Sequence, residues 1–203
     1  MSSHREFNSR FNIWAVGRNY AEHARELGHT APSGPPMIFL KAGSGSVGPG
    51  QTLTLPTWSS DVQHECELVF RFDAALKLDA ITIGLDLTAR DIQQKLKEQQ
   101  HPWTLAKSFR DSSAIGDFVP LSGLSVETLE FSLTVNGARR QQGSARQMLH
   151  SPYSLAEYVA ERFPVVPGDL LFTGTPAGVA KLNSSDRLEA EIAGILKAQW
   201  RIA

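Results

Sequence analysis

The chain has 203 residues, 41% of them apolar, enough for one sizeable core, and 20 basic against 21 acidic residues leave no excess charge to attract a polyanion such as nucleic acid. A single cysteine excludes an internal disulfide, the polar start over residues 1–12 lacks the apolar core of a secretory signal, and no apolar run nears the roughly 20 residues of a membrane-spanning helix. The expectation is a cytoplasmic protein without a nucleic-acid or membrane partner, in which residues 13–203 form one domain behind the polar segment.

In chain order, residues 13–17 (Ile13-Trp14-Ala15-Val16-Gly17) read as a short strand. Asn19 can then cap a helix whose third residue is Glu22 and which Gly28 ends. On that helix His23 and Glu26 lie three apart and face the same way, the geometry in which a carboxylate orients an imidazole that activates a water. An exposed i,i+3 contact without chemical consequence has the same spacing. Residues 26–36, with Pro32-Ser33-Gly34-Pro35-Pro36, read as a lid. A strand over residues 37–41 leads into a glycine- and serine-rich loop at 43–50. Phosphate binding fits that loop poorly, because Pro49 and a Thr-Leu alternation follow it in place of a helix beginning Lys-Ser or Lys-Thr.

In His64-Glu65-Cys66-Glu67-Leu68-Val69-Phe70 the side chains of an extended strand alternate, so Glu65 and Glu67 share one face and Cys66, Leu68 and Phe70 take the other. Two converging carboxylates repel, and keeping both ionised beside an apolar core is costly unless a cation lies between them. Hard oxygen donors favour magnesium, manganese or calcium over zinc. A solvent-facing strand edge that carries two acids is the plain alternative. Residues 80–87 read as a buried strand rich in β-branched side chains, with Asp86 where the apolar pattern ends, and a charge placed there needs a partner. Cys66, turned away from the glutamates, reads as a small buried apolar side chain.

The period then changes. Thr88 and Asp91 resemble a capping box that opens a helix running to about Gln99, closed by His101-Pro102. Arg90 and Gln93 share one face of its first turn near Asp86, where a guanidinium and an amide would hold a carboxylate substrate. A surface Arg90 paired with Asp91 or Glu98 is equally compatible. Lys107 is either a strand residue whose charge reaches water or part of the site. Residues 129–135 alternate, Asn136-Gly137 signals a type I′ turn, and residues 138–142 return antiparallel. A helix over 154–163 is stopped by Pro164 and Pro167-Gly168, and a strand follows over 170–173. Gly174-Thr175-Pro176-Ala177-Gly178 is either a purely structural turn or a way to present Thr175 and backbone amides to a carboxylate. Strands over 187–192 and 196–202 close a sheet-rich domain.

Five of these segments together resemble the fumarylacetoacetate hydrolase family: Gly17-Arg18-Asn19-Tyr20 with His23 and Glu26, His64-Glu65-Cys66-Glu67-Leu68, Leu85-Asp86-Leu87-Thr88-Ala89-Arg90-Asp91-Ile92-Gln93, Pro102-Trp103-Thr104-Leu105-Ala106-Lys107-Ser108-Phe109, and Phe172-Thr173-Gly174-Thr175-Pro176-Ala177-Gly178-Val179. In order and placement they are similar to its small single-domain branch of acylpyruvate hydrolases, fumarylpyruvate hydrolases and oxaloacetate decarboxylases. The resemblance implies a mainly β fold with short helices (α+β), a mixed β-sheet roll of the family's C-terminal-domain type. It implies Mg2+ or Mn2+, with Ca2+ a further candidate, bound by Glu65, Glu67 and Asp86. It also implies a His23/Glu26 dyad on a segment that closes over substrate, Lys107 aimed at the substrate, substrate oxygens held by Arg18, Arg90, Gln93 and Thr175, and a homodimer.

Two departures stand out. Residues 14–20 contain no acid where larger relatives supply a further metal-binding Asp, so water would complete the coordination shell, and the connection between Phe70 and Ile81 is shorter than usual. The activity implied is metal-dependent hydrolysis of a carbon–carbon bond in an acylpyruvate-type 2,4-dioxo acid. Oxaloacetate decarboxylation or keto-enol exchange on the same site is the second reading. A non-catalytic protein that holds a metal or a 2-oxo acid is the third.

Overall fold

The computed structural model describes residues 11–28, 30 and 32–203. Most of the polar segment expected at 1–12, and two positions of the lid expected at 26–36, therefore lie outside the described residues. In chain order the strands are β1 Asn12–Gly17, β2 Met37–Ala42, β3 Ser46–Val47, β4 Thr52–Leu53, β5 Val62–His64, β6 Cys66–Phe72, β7 Leu78–Asp86, β8 Thr88–Ala89, β9 Ser113–Ile115, β10 Val119–Pro120, β11 Glu130–Val135, β12 Ala138–Ser144, β13 Leu170–Phe172, β14 Ala180–Lys181, β15 Arg187–Ile192 and β16 Leu196–Ile202. Among the described residues four short α-helices interrupt them: α1 Ala21–Glu26, α2 Arg90–Glu98, α3 Thr104–Lys107 and α4 Pro152–Arg162. The architecture is mainly β with short helices, and no described helix is long and apolar enough to cross a membrane.

The larger sheet runs β2-β1-β13-β6-β7-β9-β3, mixing parallel and antiparallel pairs, with β10 added alongside β7. Its central strands β6 and β7 are buried almost end to end, as expected of runs such as Leu68-Val69-Phe70 and Ile81-Thr82-Ile83 that are covered on both faces. They form one antiparallel hairpin. The connection between them is a tight turn over residues 73–77, closed by Asp73 N–H to Lys77 O at 2.8 Å and by the Asp73 carboxylate, which accepts from the amides of Ala75 and Lys77.

The second sheet runs β12-β11-β15-β16-β4. Its strands alternate cleanly: Leu188, Ala190 and Ile192 of β15 and Ala198, Trp200 and Ile202 of β16 face inward, and charged residues face out. Those inward side chains pack with Phe70, Ile81, Ile83, Phe131 and Leu133 in the main core between the sheets. At the β11–β12 turn Asn136 and Gly137 both take positive φ, 53° and 81°, which is the type I′ geometry the sequence signals. A third, three-stranded sheet, β14-β5-β8, lies beside the acidic segment.

Four local expectations are corrected. Asn19 does not cap α1, because its side chain is engaged elsewhere: Nδ2 donates to His150 O and Thr173 O, and Oδ1 accepts from the His150 amide. No capping box opens α2. Thr88 bonds back to Asp86 O, and the Asp91 carboxylate accepts from Ser59 and Ser60 instead. Lys107 lies in α3 and not in a strand. The 43–50 loop contains a 3-10 turn at Gly43–Gly45 and strand β3. Boundaries elsewhere shift little: β1 starts at Asn12, and α4 starts at Pro152, where the Ser151 hydroxyl caps it.

Candidate metal centre

The β6–β7 register pairs Glu67 with Gly84 and Cys66 with Leu85, so Glu65 and Asp86 meet at the open end of the hairpin, joined by Asp86 N–H to Glu65 O at 2.8 Å. Strand alternation turns Glu65 and Glu67 the same way. Carboxylate oxygens of Glu65, Glu67 and Asp86 lie within 4.8 Å of one another, all three residues are buried, and among the described residues this is the one acidic or imidazole group placed to hold a metal ion.

Cations surround two of the three acids. Lys107 Nζ donates to Glu65 Oε2 at 2.7 Å and to Asp86 Oδ2 at 2.6 Å. Lys41 Nζ donates to Asp86 Oδ1 at 2.6 Å, to Ser112 O at 3.0 Å and to the Lys107 carbonyl. Arg90 pairs Nη2 with Glu65 Oε1, while its Nη1 donates to Gln93 Oε1 at 2.7 Å and its Nε to Gln63 Oε1 at 3.0 Å. Arg90 therefore ties the helix to the acids, and neither Asp91 nor Glu98 claims it.

Glu67 is different. Its hydrogen-bond partner is the Gly174 amide at 2.7 Å, and burial, then Asp86 and Glu65, push its carboxyl well above the usual carboxylate range. Burial acts to raise Glu65 too, but Lys107, Arg90 and His23 hold it well below that range. Burial lowers the Lys41 ammonium. For Lys107 burial also acts downward, yet Asp86 and Glu65 outweigh it and the net shift is upward. Three convergent buried carboxylates, one without a cationic partner, form an all-oxygen donor set that suits a hard divalent ion better than zinc.

His23 also lines the cleft; its Nδ1 stands 3.1 Å from Glu26 Oε2, and Glu26 Oε1 accepts from the Gly178 amide at 2.9 Å. A carboxylate can only accept, so Nδ1 carries the hydrogen toward Glu26, and in the neutral ring the lone pair then lies on Nε2. Gly178, at φ 100°, has to be glycine, since a Cβ there would lie 2.1 Å from Arg140 O.

Thr175 is riveted from behind. Its hydroxyl donates to Cys66 O at 2.8 Å and accepts from Gln141 Nε2 at 2.7 Å. Gln141 also donates to Pro176 O, and its Oε1 accepts from Cys66 N and from His64 Nδ1, so one buried amide links the segment that carries Glu65 and Glu67 to the 174–178 turn. Burial lowers the His64 pKa and keeps that ring neutral. Cys66 is buried and burial pushes its thiol up, in keeping with a packing role.

The cleft encloses about 30 Å³ and brings together Arg18, His23, Glu65, Glu67, Arg90, Gln93, Lys107 and Thr175; Val16, Gly17, Leu27, Phe39, Lys97 and Trp103 complete its wall. Glu26 and Asp86 stand one layer back, touching it through His23 and Lys107. Sequence reading passed over Lys41, Lys97 and Gln141. Lys41 had a signal, since it shares a strand face with Met37 and Phe39 and so points where apolar side chains point. Lys97 had one as well, a helical turn beyond Gln93. Gln141, within Arg139-Arg140-Gln141-Gln142, had none.

The family model described as fumarylacetoacetate (FAA) hydrolase C-terminal matches residues 12–203. An uncharacterised protein of Pyrococcus horikoshii is 41% identical over 201 residues, covering 94% of this chain and 87% of its own length. The mitochondrial oxaloacetate tautomerase FAHD1 of Bos taurus is 35% identical over 202 residues, covering 94% of this chain and 91% of its own. Among solved structures, fumarylpyruvate hydrolase from Pseudomonas aeruginosa in complex with Mn2+ and pyruvate superposes with a TM-score of 0.88 at 32% identity, covering 95% of this chain and 89% of that one.

Proposed function

Because the chain belongs to the fumarylacetoacetate hydrolase family, we propose that it is a divalent-metal enzyme that hydrolyses the carbon–carbon bond between the methylene and the distal carbonyl of an acylpyruvate-type 2,4-dioxo acid, releasing pyruvate and a carboxylic acid. The observation that carries this reading is the pairing of two groups across one cleft: the buried Glu65/Glu67/Asp86 cluster and the His23/Glu26 dyad. Mg2+ or Mn2+ held by the three carboxylates would act as a Lewis acid that stabilises negative charge on the oxygens of a 2-oxo acid.

The chain's own groups divide the remaining work. Arg90 and Gln93 offer a guanidinium and an amide to the carboxylate beside the oxo group. His23 Nε2 takes a proton from water, and the Glu26 carboxylate stabilises the imidazolium through Nδ1. The water oxygen bonds to the distal carbonyl carbon. The carbon–carbon bond then breaks with its electron pair left on the pyruvate fragment as enolate, and the imidazolium returns its proton to that carbon. Lys107 adds positive charge at the developing oxyanion.

A second reading, keto-enol exchange or decarboxylation of oxaloacetate, draws support from the FAHD1 relative, whose name is oxaloacetate tautomerase. Decarboxylation breaks the bond to the C4 carboxylate, releases carbon dioxide and leaves the same pyruvate enolate to be protonated, whereas keto-enol exchange passes through the enolate of oxaloacetate itself, with His23 moving the proton between carbon and oxygen. Purified protein assayed with Mn2+ or Mg2+ on acetylpyruvate, fumarylpyruvate and oxaloacetate tests both. Hydrolysis that vanishes on chelation and returns with metal is expected. Turnover that survives exhaustive chelation removes the proposal, and oxaloacetate turnover with no diketo acid cleaved transfers it to the second reading.

A further inference from the structure

The 174–178 turn touches three parts of the site at once. Gly174 N–H donates to Glu67 Oε2 at 2.7 Å, Thr175 lines the cleft, and Gly178 N–H donates to Glu26 Oε1 at 2.9 Å. Among the described residues the turn makes no backbone–backbone hydrogen bond, so its place depends on side chains. Gln141, 1% exposed, holds it twice: Nε2 donates to Thr175 Oγ1 at 2.7 Å and to Pro176 O at 2.9 Å, while Oε1 accepts from Cys66 N–H at 3.0 Å and from His64 Nδ1 at 2.9 Å. Two bonds given and two taken use the whole capacity of a carboxamide. Cys66 stands between Glu65 and Glu67, so the grip is anchored on the segment that carries two of the three acids. At the other end of the turn, α1 has six residues, too few to hold a helix by themselves in water. Beyond α1, the Gly178 amide is the one hydrogen-bond partner of Glu26 among the described residues.

We infer that Gln141 is a positioning residue for the reaction: by holding the 174–178 turn to the segment around Cys66, it sets where Glu26, and through it His23, stands relative to the Glu65/Glu67/Asp86 cluster. Gln141 does not itself line the cleft, and it acts through the Gly178 amide. This inference rests on the proposed function, in which the dyad and the cluster serve one substrate. An imidazole activates water only within hydrogen-bond reach of it, so a slack turn costs turnover without costing metal. The competing account is that Gln141 only fills the space between β12 and the turn, where Gly143 and Gly178 already bring backbone and Pro176 into close contact. A side chain of similar bulk would then serve as well.

The test compares Mn2+-loaded wild type with Gln141→Met, which is similar in bulk and offers no strong hydrogen bond, and with Gln141→Glu, which keeps an acceptor for Cys66 N–H but has no donor for Thr175 or Pro176. On whichever of fumarylpyruvate, acetylpyruvate and oxaloacetate wild type turns over, both variants are expected to lose about 30-fold or more in kcat, with KM and calorimetric Mn2+ affinity within about threefold of wild type. Placed on Glu26→Gln, which already disables the dyad, Gln141→Glu should cost less than about threefold further, because both changes act on the same imidazole. A packing role predicts losses that multiply. Unchanged kcat in either variant overturns the inference, as do multiplying losses or a fall in Mn2+ affinity that parallels kcat. Gln141→Glu decides the matter alone if the apolar replacement does not fold. Wild-type turnover with unaltered variants sinks the inference and leaves the parent reading standing, whereas wild type that turns over none of the three acids removes both.

Discussion

Asp169 and the Glu65/Glu67/Asp86 cluster bury acids in neighbouring parts of the same sheet, and they are solvated in opposite ways. Asp169, fully buried just ahead of β13, accepts from the Asn12 amide at 2.7 Å, the Asn12 side chain, Trp14 Nε1 at 2.9 Å and the Val166 amide at 3.1 Å. Every donor is neutral and belongs to the chain, so the group is complete in itself. In the cluster, three acids crowd one another, two lean on Lys41, Lys107 and Arg90, and Glu67 has one backbone amide. A buried acid closed by neutral N–H groups works as a rivet. One surrounded by like charge depends on added positive charge, and that dependence is what suits it to a metal.

Exchanging carboxylates for amides in the two places should separate the roles most sharply. Glu67→Gln is expected to abolish Mn2+ binding by calorimetry and to reduce turnover by about 10⁴ or more, about 5 kcal/mol, while the melting temperature of the metal-free protein holds or rises as like-charge repulsion is relieved. Asp169→Asn should do the reverse, losing about 2–3 kcal/mol in urea unfolding with Mn2+ affinity intact, because an amide cannot accept from every donor arranged around it. If Asp169→Asn weakened metal binding, the two places would not be distinct. Next in size, Lys41→Met leaves Asp86 short of a partner and should cost about 3–5 kcal/mol, part of which Mn2+ restores by binding the folded state. His23→Ala should reduce turnover by about 10²–10³ with metal affinity preserved, since the imidazole is not part of the Glu65/Glu67/Asp86 donor group.

The smallest effect belongs to His64, which sits with Gln141 in the neutral-donor manner of Asp169. Burial lowers its folded pKa, so the unfolded chain takes up a proton as pH falls through about 6.5 while the folded one resists. Its contribution is therefore intact above that value and declines below it, by no more than about 1.4 kcal/mol per pH unit. Melting of chelated protein between pH ~7.5 and ~5.5, with His64→Gln flattening the slope, checks the sign.

Whatever depended on period or on like charge was legible in the chain. The β6 alternation places Glu65 and Glu67 together, the apolar run of β7 ends in Asp86, and Asn136-Gly137 makes its turn. The site legible there was its negative half. Most of the positive half is supplied from a distance: Lys41 comes from an edge strand of the large sheet and Lys107 from a four-residue helix with no periodic signature. Local capping logic failed at Asn19 because three bonds to His150 and Thr173, far along the chain, outcompete one to a neighbouring amide. Gln141 is silent in sequence because its value lies wholly in the four groups that happen to surround it.

The turn over residues 73–77 has a kinetic corollary. It joins the two strands that carry Glu67 and Asp86, with Glu65 just ahead of the first, so the hairpin closes over a short span of chain at small entropic cost, whereas Lys41 reaches Asp86 across 45 residues and Lys107 reaches Glu65 across 42. During refolding the acids of the hairpin are expected to come together before those two ammonium groups dock, so a dissolved divalent ion would meet an open, charge-hungry nucleus before its counterweights close over it.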